Sequence, residues 1–493
     1  LGVKRIAAVL FVLAAWQGVC QGATALEGYS EFYGELNGES RQWRFGDPQF
    51  LGELRVKSTP WLNTEAFLKI QGLSNKWDND VWENFFFMKE AHLKYRGQRI
   101  ESYLFTGQDR FWLNEPLLNI VSNDIIKDDD NGPKAQGVRV DFWDTYGVTG
   151  TAFYSDKATP YYDETGPRQP TGAAYATPDQ ISTDDYRGGR VKRSFFTDRV
   201  LLGSTFARKD YASGRRDYDE VFAFDCELAL GNLLHPLSPL GRVTLVGEAG
   251  KNISGWLKNE EPNGWKLELR DVNIGPLSFI GSLSDYDDNF YTLGLARGDI
   301  WDDNDYHGHY LQADFRVPRK EINLKGWRYR YKPHIFTSNK QPYEETGGEI
   351  YVRFVKGFTG KADYKRYINK DGIWPDLFME VAGENKLVRI RAQYRIKDIS
   401  SDYQLTAYGF DANANLTDRW KFYARLLTVD EKTEARETVF AQVQYTGWSS
   451  AEFFMEFGDS GASWDLVQSD GFVNHDSSAV TVRVFKVFLR LYY

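Results

Sequence analysis

The feature that most constrains the fold is the period of residues 485–493. Phe485, Val487, Leu489, Leu491 and Tyr493 fall on every second position, with Lys486 and Arg490 between them. That is the pattern of a strand with one apolar and one wet face. In a soluble protein, so apolar a strand at a chain end offers unpaired backbone groups and a greasy face to other chains. A sheet closed on itself in lipid removes both problems, so the pattern predicts the last stave of a membrane-embedded barrel. Val480, Val482 and Val484 lie on the opposite phase from Phe485, which predicts a bulge or twist near position 484.

The same period recurs along the chain. Phe222, Phe224, Cys226, Leu228 and Leu230 alternate with Asp225 and Glu227; Val388, Ile390, Ala392, Tyr394 and Ile396 alternate with Arg389, Arg391, Gln393 and Arg395. Leu311, Ala313 and Phe315 alternate with Gln312, Asp314 and Arg316, and Trp327, Tyr329 and Tyr331 alternate with Arg328, Arg330 and Lys332. Short connections rich in Gly, Pro, Asn and Asp fall at Ser58–Pro60, Arg96–Arg99, Trp143–Gly147, Phe196–Asp198, Asn273–Pro276, Pro318–Glu321, Lys356–Gly360, Ala382–Asn385 and Thr446–Ser449. Gly231–Gly241 and Asp411–Asp418 are somewhat longer connections on the same rim. Long polar ones fall at Asp109–Lys134, Asp156–Arg187, Ser284–Tyr306 and Gly458–Ser477. Alternating short and long connections belong to an all-β, antiparallel, up-and-down transmembrane barrel. The parse gives about 24 strands, within a range of roughly 18 to 26. A soluble sandwich would show similar alternation, but here the polar faces are heavily charged throughout.

Composition excludes several classes. After residue 25 no run of about 20 apolar residues exists, so helical membrane spans are excluded. Aromatics make up 16 % of the chain, which suits aromatic belts at two membrane rims. A net charge of −9 argues against a nucleic-acid partner. Lys4 and Arg5, the apolar run Ile6 to Trp16 and the small-residue site Ala23-Thr24-Ala25 read as a secretory signal over residues 1–25, leaving one barrel over residues 26–493. Cys226 is then the one mature cysteine, a small apolar residue on a strand.

Basic residues on the wet faces are the first candidates for a functional site. Arg316, Arg328, Arg330, Lys332, Arg353, Arg389, Arg391 and Arg395, with Arg425, could line a cationic path, since the guanidinium fork binds carboxylate and sulfate oxygens in pairs. The alternative is that they pair across neighbouring strands with acids such as Asp225, Glu227, Glu248, Asp314 and Glu349. Asp128, Asp130, Asp302, Asp303 and Asp305 group oxygen ligands on turns as a Ca²⁺ site does, although neither run continues into a full twelve-residue loop. His307 and His309 share one strand face, as two ligands of a transition metal would. No other cofactor is expected. No catalytic residues are expected either: the Gly-Asp-Ser-Gly run at Gly458–Gly461 lies in a long loop of a chain without a protease fold. Trp77, Trp82, Trp112, Trp256, Trp265, Trp301 and Trp374 lie near loops or strand ends, where they could stack on sugar rings or form the membrane belt.

On these features the chain from Leu26 to Tyr493 resembles a Gram-negative outer-membrane β-barrel porin. A narrower likeness rests on Tyr103-Leu104-Phe105-Thr106-Gly107-Gln108-Asp109-Arg110, Pro116-Leu117-Leu118 and Gly137-Val138-Arg139-Val140-Asp141-Phe142-Trp143, which together resemble the alginate-export-type porins. The resemblance implies an outer-membrane channel whose basic lumen passes small or anionic solutes such as oligo- or polysaccharides. It also implies membrane lipid as a partner, and assembly machinery that reads the strand ending in Tyr493. Monomer and trimer are both open. The loop Asp109–Lys134 or the loop Asp156–Arg187 is expected to fold inward as a constriction. A closed or plugged surface barrel acting as adhesin or structural anchor, and a soluble secreted carbohydrate-binding β-protein, are the alternatives.

Overall fold

The computed structural model describes residues 24–37, 43–76, 82–106, 113–118, 120, 134–159, 185–210, 218–234, 240–254, 262–287, 290, 306–318, 320–334, 342–369, 372–399, 404–431, 434–458 and 484–493. Twenty-four strands form one antiparallel sheet. The first eight are β1 (Thr24–Asn37), β2 (Trp43–Ser58), β3 (Thr64–Lys76), β4 (Trp82–Arg96), β5 (Ile100–Thr106), β6 (Lys134–Thr145), β7 (Val148–Thr159) and β8 (Asp185–Phe195). The middle eight are β9 (Val200–Asp210), β10 (Tyr218–Ala229), β11 (Thr244–Ser254), β12 (Asn263–Ile274), β13 (Leu277–Tyr286), β14 (Tyr306–Arg316), β15 (Ile322–Pro333) and β16 (Tyr343–Val355). The last eight are β17 (Phe358–Asn369), β18 (Gly372–Glu384), β19 (Val388–Lys397), β20 (Leu405–Asn415), β21 (Trp420–Glu431), β22 (Glu434–Tyr445), β23 (Ala451–Gly458) and β24 (Val484–Tyr492). One helical turn, α1 (Leu230–Leu233), sits between β10 and β11.

Each strand pairs with its sequence neighbours, and β1 pairs with β24, which closes the barrel. The closing register runs without a shift from Tyr29↔Tyr492 to Asn37↔Val484. The bulge expected near position 484 is therefore absent within β24, and Val480 and Val482 lie outside the described residues. At the far end of the seam, Gly28 and Tyr493 exchange backbone hydrogen bonds of 2.9 and 3.2 Å. Pairing starts at Thr24 opposite Ser58, two residues before the boundary expected at Leu26. The connection after β20 is shorter than expected, because Asp411 to Asn415 belong to that strand.

The register separates two faces. Glu31, Arg139, Arg190, Asp225, Glu248, Asp376 and Arg395 are all buried and all fall on one phase, which is the lumen. The opposite phase carries exposed apolar side chains, among them Leu104, Phe224, Leu267, Leu311, Val381 and Phe410. An outer face of this kind needs lipid rather than water, since exposed apolar area costs about 25 cal/mol per Å² in water. Cys226 lies on this outer phase as a free thiol.

The seam is also held from inside. Glu31 on β1 is buried and takes hydrogen bonds from Arg490 on β24 and from the Tyr33 hydroxyl; the Arg490 guanidinium lies 5.3 Å over the Phe454 ring. Arg490→Ala leaves that carboxylate without its cation. Lumen water screens the pair, so we expect a loss of about 1–3 kcal/mol rather than the full cost for a dry pair. A lower urea midpoint for the heat-modifiable folded band checks this, with Arg490→Lys recovering part of it.

Candidate functional site: the lumen wall and an inward loop segment

The lumen wall of β7 to β12 combines charge with gaps. Arg190 on β8 bonds Asp225 on β10 through two contacts of 2.5 and 2.9 Å and Thr205 on β9 at 2.9 Å. On β6, Arg139 bonds Asp141, which also accepts the Thr151 hydroxyl at 2.6 Å. Next to these charges the inward phase carries Ala223, Gly250 and Gly264 side by side on β10, β11 and β12. With no side chains beyond a methyl, the three adjacent positions leave a shallow bare area on the wall.

Two loop segments fill it. Residues 113–118 and 120, from the long β5–β6 connection, turn into the barrel, and Leu113, Leu118 and Ile120 are buried there. Phe290, from the β13–β14 connection, is fully buried and stacks on Tyr286 at 5.8 Å. A Cβ built on Gly250 would sit 3.2 Å from Leu118 and 3.3 Å from Phe290, and one on Gly264 only 2.6 Å from the Phe290 ring. Each buried apolar side chain contributes about 1.5–3 kcal/mol, enough to hold a loop inside against its lost freedom. One polar contact fixes the register: the Glu248 Oε2 accepts the backbone N–H groups of Leu117 and Leu118, each at 2.8 Å. Its Oε1 is buried without a hydrogen-bond partner among the described residues. The expectation of an inward fold for the loop Asp109–Lys134 holds for these residues; residues 109–112, 119 and 121–133 of that loop and most of the loop Asp156–Arg187 lie outside the described ones.

The predicted basic residues divide by face. Arg389, Arg391 and Arg395 on β19 and Arg425 on β21 point into the lumen, as do Arg316 and Arg353 at the rim of the short turns. Three of these six carry ion pairs. Arg395 bonds Asp376 at 2.5 Å, Arg391 bonds Asp411 at 2.7 Å and lies 3.8 Å from Glu380, and Arg353 pairs with Glu321 at 2.6 Å. Arg389 is exposed with no ion pair among the described residues. Cross-strand pairing thus describes this wall, though with other partners than expected: Asp225 goes to Arg190, Glu227 to Arg270, Glu349 to Lys361, and Glu248 to the inward loop.

For β15 the predicted face is wrong. Arg328, Arg330 and Lys332 pair in register with Leu311, His309 and His307, on the outer phase, while Trp327, Tyr329 and Tyr331 point inward. The inward rings pack together, Tyr329 on Tyr310 at 4.3 Å, and the Trp327 indole donates to Glu345 at 2.7 Å. Aromatic content does not by itself mark the lipid side when the rings have hydroxyls and carboxylates to bond. Of the tryptophans, Trp265 is exposed on the outer phase and Trp374 lies on the lumen phase opposite Tyr367. The acidic loop candidates Asp128, Asp130, Asp302, Asp303 and Asp305 lie outside the described residues. Among the described residues no three His, Cys, Asp or Glu converge as metal ligands. His307 and His309 face outward, His307 against His334 at 5.0 Å.

A closed antiparallel barrel with an apolar outside and a charged inside is the fold of the outer-membrane β-barrels. Among solved structures it is shared with the E. coli P pilus tip assembly intermediate PapC-PapD-PapK-PapG, at a TM-score of 0.56 and 8 % identity, over 95 % of this chain and 60 % of that one. The P pilus usher (PapC) translocation pore aligns over 95 % of this chain and 99 % of that one, at 0.45 and 8 %. The siderophore receptor PirA from Pseudomonas aeruginosa aligns at 0.47 and 9 %, over 96 % and 81 %. No protein-family model and no curated protein matches the chain.

Glu248→Ala removes the acceptor shared by the Leu117 and Leu118 amides. Hydrogen exchange at those two amides should then speed up by about 10- to 100-fold, the equivalent of one or two lost charge-assisted hydrogen bonds. Glu248→Gln, which keeps an acceptor oxygen, should lie between.

Proposed function

We propose that the protein is an outer-membrane channel, and that residues 113–118 and 120 narrow its path. The observation that carries this reading is the loop segment held inside the barrel by Glu248 and by the Ala223, Gly250 and Gly264 area. Twenty-four strands enclose a lumen wider than side chains alone can fill. What remains open is then set by what folds inward. Small or anionic solutes of oligosaccharide type suit the reading, with Arg389 and Arg316, which have no ion pair among the described residues, and with Arg353, Arg391 and Arg395 on the same lumen phase. The charge-compensated wall supports passage of hydrated polar solutes more than tight capture of one anion.

A closed barrel serving as a surface anchor is the second reading. It is favoured by the apolar cluster that Leu113, Leu118, Ile120 and Phe290 build inside the lumen.

Planar-bilayer conductance of the refolded protein, with reversal potential under a KCl gradient, separates the two. The channel reading expects a steady conductance, raised by Glu248→Ala as the segment loosens. It also expects a reversal potential that moves toward cation preference when Arg389 and Arg391 become Ala. A folded, heat-modifiable protein with no conductance supports the anchor.

A further inference from the structure

The three cations that the register places outside the barrel are grouped. On the outer phase Arg328, Arg330 and Lys332 follow one another along β15, about 7 Å apart at two residues per step. Arg328 lies on one rung with Thr346 of β16 and Arg366 of β17. Arg328 and Arg330 share a single carboxylate, Glu344, at 2.9 and 3.7 Å, and their side chains are 46 % and 44 % exposed. A second acid on the outer phase, Asp285, is taken by His334 at 2.9 Å. Among the described residues, four permanent cations on these outer rungs, Arg328, Arg330, Lys332 and Arg366, thus meet two carboxylates, a positive surplus.

Its height matters as much as its charge. The patch occupies the half of β15 nearer the long-loop rim. Toward the short-turn rim the outer phase of the same strands is apolar: Leu324, Phe315, Ile350 and Val352. Between the two zones lies a row of minimal side chains, Ala313, Gly326 and Gly348, directly paired across β14, β15 and β16. A Cβ on Gly326 would meet nothing nearer than 3.9 Å, so the row is a real dip in the outer surface.

We propose that this surface binds the phosphate-bearing headgroup of an outer-leaflet glycolipid, with an acyl chain lying in the Ala313–Gly326–Gly348 dip. Two guanidiniums and an ammonium at about 7 Å spacing match a headgroup with more than one phosphate, because each fork can hold two phosphate oxygens. A cation just above an apolar band meets headgroup phosphates without leaving water, and its stem packs on the acyl boundary. The proposal rests on the outer-membrane reading, with the long connections on the outer side as in other barrels of this kind, but not on the lumen being open.

The test is native mass spectrometry of the full chain in detergent with an added bisphosphorylated glycolipid or its dephosphorylated form. Wild type should retain the phosphorylated lipid, and the triple variant Arg328→Gln, Arg330→Gln, Lys332→Gln should retain about tenfold less, as expected from losing charge-assisted contacts. Gly326→Leu, which fills the dip but keeps the charges, should weaken retention on its own. Equal retention by the triple variant, or equal binding of the dephosphorylated lipid, overturns the proposal. So does full displacement by millimolar inorganic phosphate, which would mark a plain anion site. Heat-modifiability of each variant on a gel reports folding. Because retention is read apart from conductance, a non-conducting barrel that still holds the lipid would sink the channel reading and leave this one standing.

Discussion

Everything in this structure depends on pairing the last strand with the first. In hydrocarbon an unpaired backbone N–H or C=O costs several kcal/mol, so a sheet in a membrane is stable only when it has no edge. The β1–β24 register meets that demand over nine residue pairs and then continues through Gly28 and Tyr493. Once closure is imposed, the two-residue period sorts every side chain to lipid or lumen, and the chemistry of each face follows from its solvent.

A barrel this wide creates a second demand, because its interior cannot be filled by wall side chains. The wall answers with charge pairs on one arc, such as Arg395 with Asp376, and with missing side chains on another. Charge pairs keep water in, and bare backbone lets a loop come close. Glu248 stands where the two arcs meet: it sits opposite Asp225 in register, yet its carboxylate serves loop amides rather than a cation.

The period of residues 485–493, the short-turn rhythm and the even strand number were legible in the sequence, because closure and pleat act on local pattern. Which face of a strand is wet was not always legible. On β19 apolar residues mark the lipid side as expected, but on β15 the alternation is between aromatic and basic residues. There a strand that rises past the apolar band presents arginine outward and tyrosine inward. Period fixes that two faces exist; only the height of each rung relative to the membrane tells which is which. The seat for the inward loop did leave a trace: Ala223, Gly250 and Gly264 all fall on the wet phase, among charged neighbours such as Asp225, Glu248 and Lys266. That signal is readable only once the register of β10, β11 and β12 is known, since the three positions are far apart in sequence.

Leu118 and Phe290 come from different connections and rest on the same glycine, Gly250. Each covers apolar surface of the other, so the departure of one exposes its neighbour to lumen water. The two loops therefore form a thermodynamically linked pair: whatever holds either one in its seat also raises the occupancy of the other's, by the same factor in both directions.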